Sequence, residues 1–106
     1  MNNVIYKKKN FVIIQVRNGF IVYNLDKDFP DGHTHLTSFG SAKYLINLAL
    51  AHSIPNHLDK YRLTSLIRIS DDAIYQEKIL SLIQNKKQKQ QYFNAGRKST
   101  MMTFAT

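Results

Sequence analysis

Between Asn10 and Asn24 the apolar positions crowd into two runs, Phe11-Val12-Ile13-Ile14-Gln15-Val16-Arg17 and Phe20-Ile21-Val22-Tyr23, separated by Asn18-Gly19. β-Branched and aromatic residues at this density suit a pleated, half-buried surface. Asn-Gly supplies the positive φ angles of a type I′ turn, whose twist matches the strands it joins. The pattern predicts a β-hairpin over residues 10–24. Phe11, Ile13 and Gln15 alternate with Val12, Ile14 and Val16, so both faces carry apolar side chains, and burial on both sides is expected over part of the length.

The segment 25–40 concentrates turn formers (Asp26, Asp28, Pro30, Asp31-Gly32, Gly40) and reads as a long surface loop carrying His33-Thr34-His35. Helical spacing then takes over. Phe39, Ala42, Leu45, Ile46, Ala49 and Leu50 recur at intervals of three and four and predict a helix over about 41–52, capped by Thr37, Ser38 or Ser41 and closed before Pro55. Asn56 as a cap and Asp59 in the first turn open a second helix, about 57–69, with Leu58, Tyr61, Leu66 and Ile69 facing inward. Ser70-Asp71-Asp72 caps a third, about 71–90, whose apolar stripe runs through Tyr75, Ile79, Leu82 and Ile83 and is widened by Ile74. Residues 94–106 lack periodicity and read as a tail on a single domain, 1–93. The expected fold class is α+β: an N-terminal antiparallel hairpin followed by three helices packed on a small sheet.

Composition narrows the chemistry. A chain of 106 residues is long enough for one core. Without cysteine there is no disulfide framework, thiolate metal site or cysteine nucleophile. No apolar run approaches the ~18–20 residues that span a bilayer, and Met1–Tyr6 followed by three lysines does not have the layout of a signal peptide. These features predict a cytoplasmic protein with no membrane partner and no cofactor.

Charge changes the picture most. The net charge is +8, and it is unevenly placed. Residues 1–25 and 78–106 hold no acid at all, while all seven acids fall in the near-neutral middle. Such cationic blocks attract polyanions over about a Debye length, ~8 Å at physiological salt. The expected partners are RNA or DNA, or a protein–nucleic-acid complex. The candidate contacts are Lys7, Lys8 and Lys9 ahead of the first predicted strand, Arg62 and Arg68 on the second helix, and Lys86, Lys87 and Lys89 extending the third. Tyr92, with Phe93, follows that lysine run directly; an aromatic beside basic residues is suited to stacking an exposed base, and the pair is equally suited to folding back on the hairpin as a satellite of the core. Tyr44, Tyr61 and Tyr75, one per helix, read as core packing with the hydroxyl at the rim.

Histidine offers two alternatives. His33 and His35 could act as acid and base in phosphodiester cleavage, because imidazole ordinarily titrates near neutrality. His35-Leu36-Thr37-Ser38 resembles the H-x-T-x motif of two-histidine phosphoesterases, a family that needs a second copy; the segments at His52 and His57 do not supply it. Asp31, His33 and His35 are also suitable zinc donors, but no second ligand cluster has characteristic spacing. A further alternative is a protein-interaction module that docks through the edge of its hairpin.

The stretch Gly32-His33-Thr34-His35-Leu36 through Ser41-Ala42-Lys43-Tyr44-Leu45, and then Tyr61-Arg62-Leu63-Thr64-Ser65-Leu66-Ile67-Arg68-Ile69-Ser70, resembles small accessory proteins of Gram-positive mobile genetic elements. Lys, Ile and Asn make up 31 of the 106 residues, as suits an AT-rich coding sequence. That group includes regulators of conjugation and inhibitors of CRISPR nucleases. The resemblance implies a nucleic-acid or nucleoprotein partner and carries over no catalytic residue.

Overall fold

The computed structural model describes residues 3–85. Four strands, β1 (Val4–Lys8), β2 (Phe11–Val16), β3 (Gly19–Asn24) and β4 (His33–Leu36), form one antiparallel sheet in the order β1-β2-β3-β4. Three helices follow: α1 (Phe39–Ala51), α2 (Lys60–Ile69) and α3, residues 73–85. The fold is α+β, with N-terminal strands followed by helices.

The predicted hairpin forms the centre of this sheet, so both of its edges are paired and it has no free edge for docking. The free edges belong to β1 and β4, which the sequence reading did not assign as strands. Lys7 and Lys8 do not precede the first strand; they lie in it, because Val4-Ile5-Tyr6 has enough apolar character to pair with β2. The expected loop 25–40 shrinks to residues 25–32, since His33-Thr34-His35-Leu36 alternates polar and buried positions and pairs with β3.

The turn between β2 and β3 also differs from expectation. Val16 pairs with Gly19, which leaves Arg17 and Asn18 as the turn, and neither has a positive φ. Gly19 lies at φ +155 as the first residue of β3, where an added Cβ would meet the Leu36 carbonyl oxygen at 2.5 Å. Glycine is required there by the close approach of β4 as well as by backbone conformation.

Alternation sorts the sheet into two faces. Phe11, Ile13, Val22 and Leu36 point to the helices and join Leu45, Ile46, Leu63, Leu66, Ile69 and Ile79 in the main core. Val12, Ile14 and Ile21 form a second cluster on the opposite face, flanked by Val16 and Tyr23. Both faces of the hairpin are therefore buried, one by helices and one by neighbouring side chains.

The helices begin and end for local reasons. Ser38 caps α1 by accepting from the Ser41 N–H, and His52 closes it in the left-handed region at φ 52. Asp59, not Asn56, caps α2, so that helix starts at Lys60. The α3 cap is Asp72, whose Oδ1 accepts from the Tyr75 N–H at 2.8 Å. Four helical residues expected to pack inward do not: Tyr61 is 77% exposed and Ile74 69% exposed, and Tyr44 and Leu82 are exposed as well. On α2 the inward stripe runs through Leu63, Leu66 and Ile69, a spacing that leaves Tyr61 on the solvent side. On α3 the buried Tyr75 and Ile79 define the packed face, and Ile74 lies off it.

Polar links lock these layers. Asn24, fully buried, donates to the Ile69 carbonyl at 2.8 Å and accepts from the Asn10 side chain and the Asp26 N–H. Tyr75 donates to the Ser53 carbonyl at 2.8 Å, and burial pushes its phenol up to about 12.

Candidate nucleic-acid interface

The predicted cations do not gather in one place. Lys7 pairs with Val12 and so shares the helix-free face of the sheet, while Lys8 points the other way and donates to Asn47 Oδ1 on α1 at 2.8 Å. Lys9 lies in the β1–β2 turn at φ 56, exposed. These three occupy the β1 edge. Arg62 and Arg68 sit on α2, which packs closest to β4 at the opposite edge, about 14 Å away at the usual strand spacing.

Arg68 is used internally. Its Nε donates to the His33 carbonyl and its Nη2 to the Pro30 carbonyl, both at 3.0 Å, so the guanidinium fork holds the loop before β4 against α2 and covers part of the β4 edge. Arg62 reaches Ser41 Oγ at 3.5 Å, beside the start of α1. Lys86, Lys87, Lys89 and Tyr92 lie outside the described residues, as do the end of the third predicted helix and the tail.

The two loop histidines are brought together. His33 pairs with Tyr23 and His35 with Ile21, which places both imidazoles on the helix-free face with ring centroids 5.2 Å apart. Phe29 stacks on His33 at 4.1 Å with the planes nearly parallel, and Tyr23 meets Phe29 edge-on at 5.1 Å. The result is a continuous row of rings, Tyr23–Phe29–His33–His35, along the β3–β4 side of the face. His33 Nδ1 lies in hydrogen-bonding range of the Phe29 carbonyl, which can only accept, so that nitrogen carries the proton. Among the described residues no three His, Cys, Asp or Glu side chains come together as a metal site, and Asp31 does not join the two histidines in one.

A recess of about 350 Å³ opens beyond the end of this row. It is bordered by Val16 and His35 of the helix-free face, by Phe20 and Leu36, whose side chains pack toward the helices, and by Arg17 and Asn18 at the hairpin tip.

Charges of both signs meet at the loop end of the sheet, where Lys8 and Lys9 adjoin Asn24 and Leu25 across the strands and Lys27 and Arg68 tie the 25–32 loop to α2. Residues 3–85 contain ten Lys and Arg and all seven acids. Among them no Lys or Arg reaches a carboxylate, and the one basic nitrogen near a carboxylate is His52 Nε2, 3.9 Å from Asp72 Oδ2. Asp26, Asp28 and Asp31 lie in the 25–32 loop, which is bonded to the α2–α3 junction through Lys27 on the Ser70 carbonyl and Asn24 on Asp71. Asp71 and Asp72 lie in that junction, so five of the seven acids collect at one end of the molecule. The hairpin tip, with Arg17, is at the other end.

Sequence reasoning did not single out Arg17, Phe29 or Tyr23. The signal that could have found them is the alternation His33-Thr34-His35-Leu36: once it is a strand, its pairing partners and the hairpin tip fall beside it. Comparison with family models, curated proteins and solved structures returns no match.

Proposed function

We propose that this chain is a small basic, non-enzymatic accessory protein that works in the cytoplasm by binding nucleic acid or a nucleoprotein complex. A regulator or host-defence (CRISPR) inhibitor carried by a mobile element fits this description. The observation that carries the reading is the lack of pairing: none of the ten Lys and Arg in residues 3–85 reaches a carboxylate, and Lys7 and Lys9 stand exposed at the β1 edge. Lysines left unpaired on an exposed edge are suited to phosphate contacts, which are sequence-independent and release counterions.

The neighbouring histidines favour a phosphodiesterase only in their proximity. His33 is held by its stack on Phe29 and by the Phe29 carbonyl, an arrangement that fixes the ring without providing a carboxylate to orient it as a base. Binding is therefore the reading adopted, and intact RNA is expected after prolonged incubation with the protein.

Titration of labelled RNA and duplex DNA over a range of salt concentrations tests it. Affinity is expected to fall linearly on a log–log plot, with a slope near −0.9 for each duplex phosphate neutralised. The Lys7→Gln/Lys9→Gln variant is expected to flatten that slope by about 2. No binding to either ligand at low salt removes the proposal.

A further inference from the structure

We propose that the free edge of β4, together with the side of α2 above it, is a self-association surface through which two copies of this chain join their sheets into one. The contact is independent of nucleic-acid binding. Backbone polarity along β4 shows which groups are open. The Gly32 carbonyl accepts from the Asn24 N–H and the Leu36 carbonyl oxygen approaches Gly19, so Gly32, Thr34 and Leu36 turn their backbone groups to β3. The His33 carbonyl instead accepts from Arg68, so His33 and His35 turn theirs outward. Among the described residues nothing bonds the His33 N–H or the N–H and C=O of His35. At the other edge β1 carries Lys7 and Lys8, has Lys9 at its end and breaks register between Val4 and Tyr6, devices that discourage pairing with another chain. No lysine or register break occurs in β4.

A second copy fits this edge. In an antiparallel pair with its dyad at Thr34, His33 of each copy lies opposite His35 of the other, and each such pair exchanges two backbone hydrogen bonds. The His33 carbonyl keeps a second lone pair for this beside the one that Arg68 uses. The same register sets Asp31 opposite Thr37 of the other copy. Thr37 leads into Ser38 and the N-terminus of α1, a positive helix end with no acid in its first turn, where Arg62 also reaches Ser41. Acid therefore meets positive charge on both sides of the dyad. Above the sheet, Tyr61 and Arg68 share one side of α2, the side from which Arg68 reaches the β4 edge. The dyad brings Tyr61 of one copy level with Arg68 of the other, and so covers a ring that is 77% exposed in the single chain. The contact is small: α2 and β4 each run about 15 Å. An interface at the low end of the size range, dissociating at micromolar concentration, is expected.

Sedimentation velocity of the nuclease-treated full chain, over about 5–500 µM to bracket a micromolar Kd, tests this. The mass is expected to rise from one chain to two, and exchange of the His35 amide to slow over the same range. His35→Pro removes a donor that β3 does not use and sets a ring in the path of the second strand, at an edge position that tolerates proline. It should abolish dimerisation while the circular dichroism spectrum stays unchanged. Tyr61→Glu alters an exposed side chain in the first turn of α2, where an acid is tolerated, and should weaken association at least fivefold. That variant decides the matter if His35→Pro fails to fold. Lys7→Gln/Lys9→Gln, at the opposite edge, should change association less than twofold. A chain that stays monomeric at the highest concentration overturns the proposal, as does a dimer unaffected by either folded variant or weakened by the β1 substitutions. Titrations with RNA and duplex DNA are read separately, so failure of nucleic-acid binding leaves the dimer standing and the reverse.

Discussion

Gly19 shows how one residue can serve two constraints. Its φ of +155 is a conformation that side chains rarely adopt, and the Leu36 carbonyl oxygen sits 2.5 Å from where a Cβ would be. The obstacle is backbone in a paired strand, so it cannot swing aside as the end of a flexible side chain would. Gly19→Ala is therefore expected to destabilise the protein by about 2 kcal/mol or more, combining backbone strain with displacement of β4. Thermal unfolding measured by circular dichroism should show a midpoint lower by about 8 °C or more for a domain of this size. The same substitution at Gly40 meets nothing within 4 Å and sits in the first turn of α1, where alanine is the better helix former. An unchanged midpoint for Gly19→Ala would mean that β4 does not approach the hairpin tip in solution, and the recess beside it would be lost as well.

At the scale of elements, Arg68 decides how β4 is held. The α2 side chain spans two backbone carbonyls, of Pro30 and His33, and Lys27 returns from the loop to the Arg68 and Ser70 carbonyls at the end of α2. Lys27 thereby satisfies orphan carbonyls at the negative end of the helix dipole. Arg68→Ala is expected to cost about 1–2 kcal/mol in urea unfolding, and Arg68→Lys should recover little of it, because an ammonium cannot reproduce the planar fork. Nucleic-acid affinity should respond to Arg68→Ala less than to Lys7→Gln. A larger loss of affinity with unchanged stability would restore Arg68 to the contact set. This pairing of loop and helix marks where sequence reasoning stops. Long periodic elements were legible: the hairpin strands with their β-branched runs, and the helices with their spacing of three and four. The short strand 33–36 was not, because Pro30 and Asp31-Gly32 signal a turn and four residues of alternation are too few to outweigh them. Its partners are set by tertiary pairing with β3, and the double duty of Arg68 exists only once α2 lies against the loop. The candidate site was legible to the same extent: the sequence marked the lysines and histidines, but their grouping depended on β1 and β4 being strands.

On the whole molecule, the excess of positive charge divides unequally between the described residues and the rest. Residues 3–85 carry ten cations against seven acids, and the remaining five Lys and Arg of the chain lie in 86–106 with no acid beside them. The described part is therefore only weakly basic on average, and what makes it a candidate for polyanions is that none of its Lys or Arg is paired with a carboxylate. Whether the two cationic ends serve one ligand is a question about additivity. Each phosphate contact contributes about −0.9 to the duplex salt slope, independently of where on the protein it comes from. If both ends hold the same nucleic acid, Lys7→Gln/Lys9→Gln should flatten the slope by about 2 and Lys86→Gln/Lys87→Gln/Lys89→Gln by about 3, and the five-fold variant by their sum. The β1 substitutions should leave the unfolding midpoint unchanged, since the exposed Lys7 and Lys9 contribute little to stability. If the C-terminal set leaves the slope untouched while the β1 set flattens it, the phosphates are held by the sheet alone. If neither set alters it, the lysines act only on solubility and as protection of a free strand edge against pairing with other chains, a role that charge on β1 would fill without any ligand.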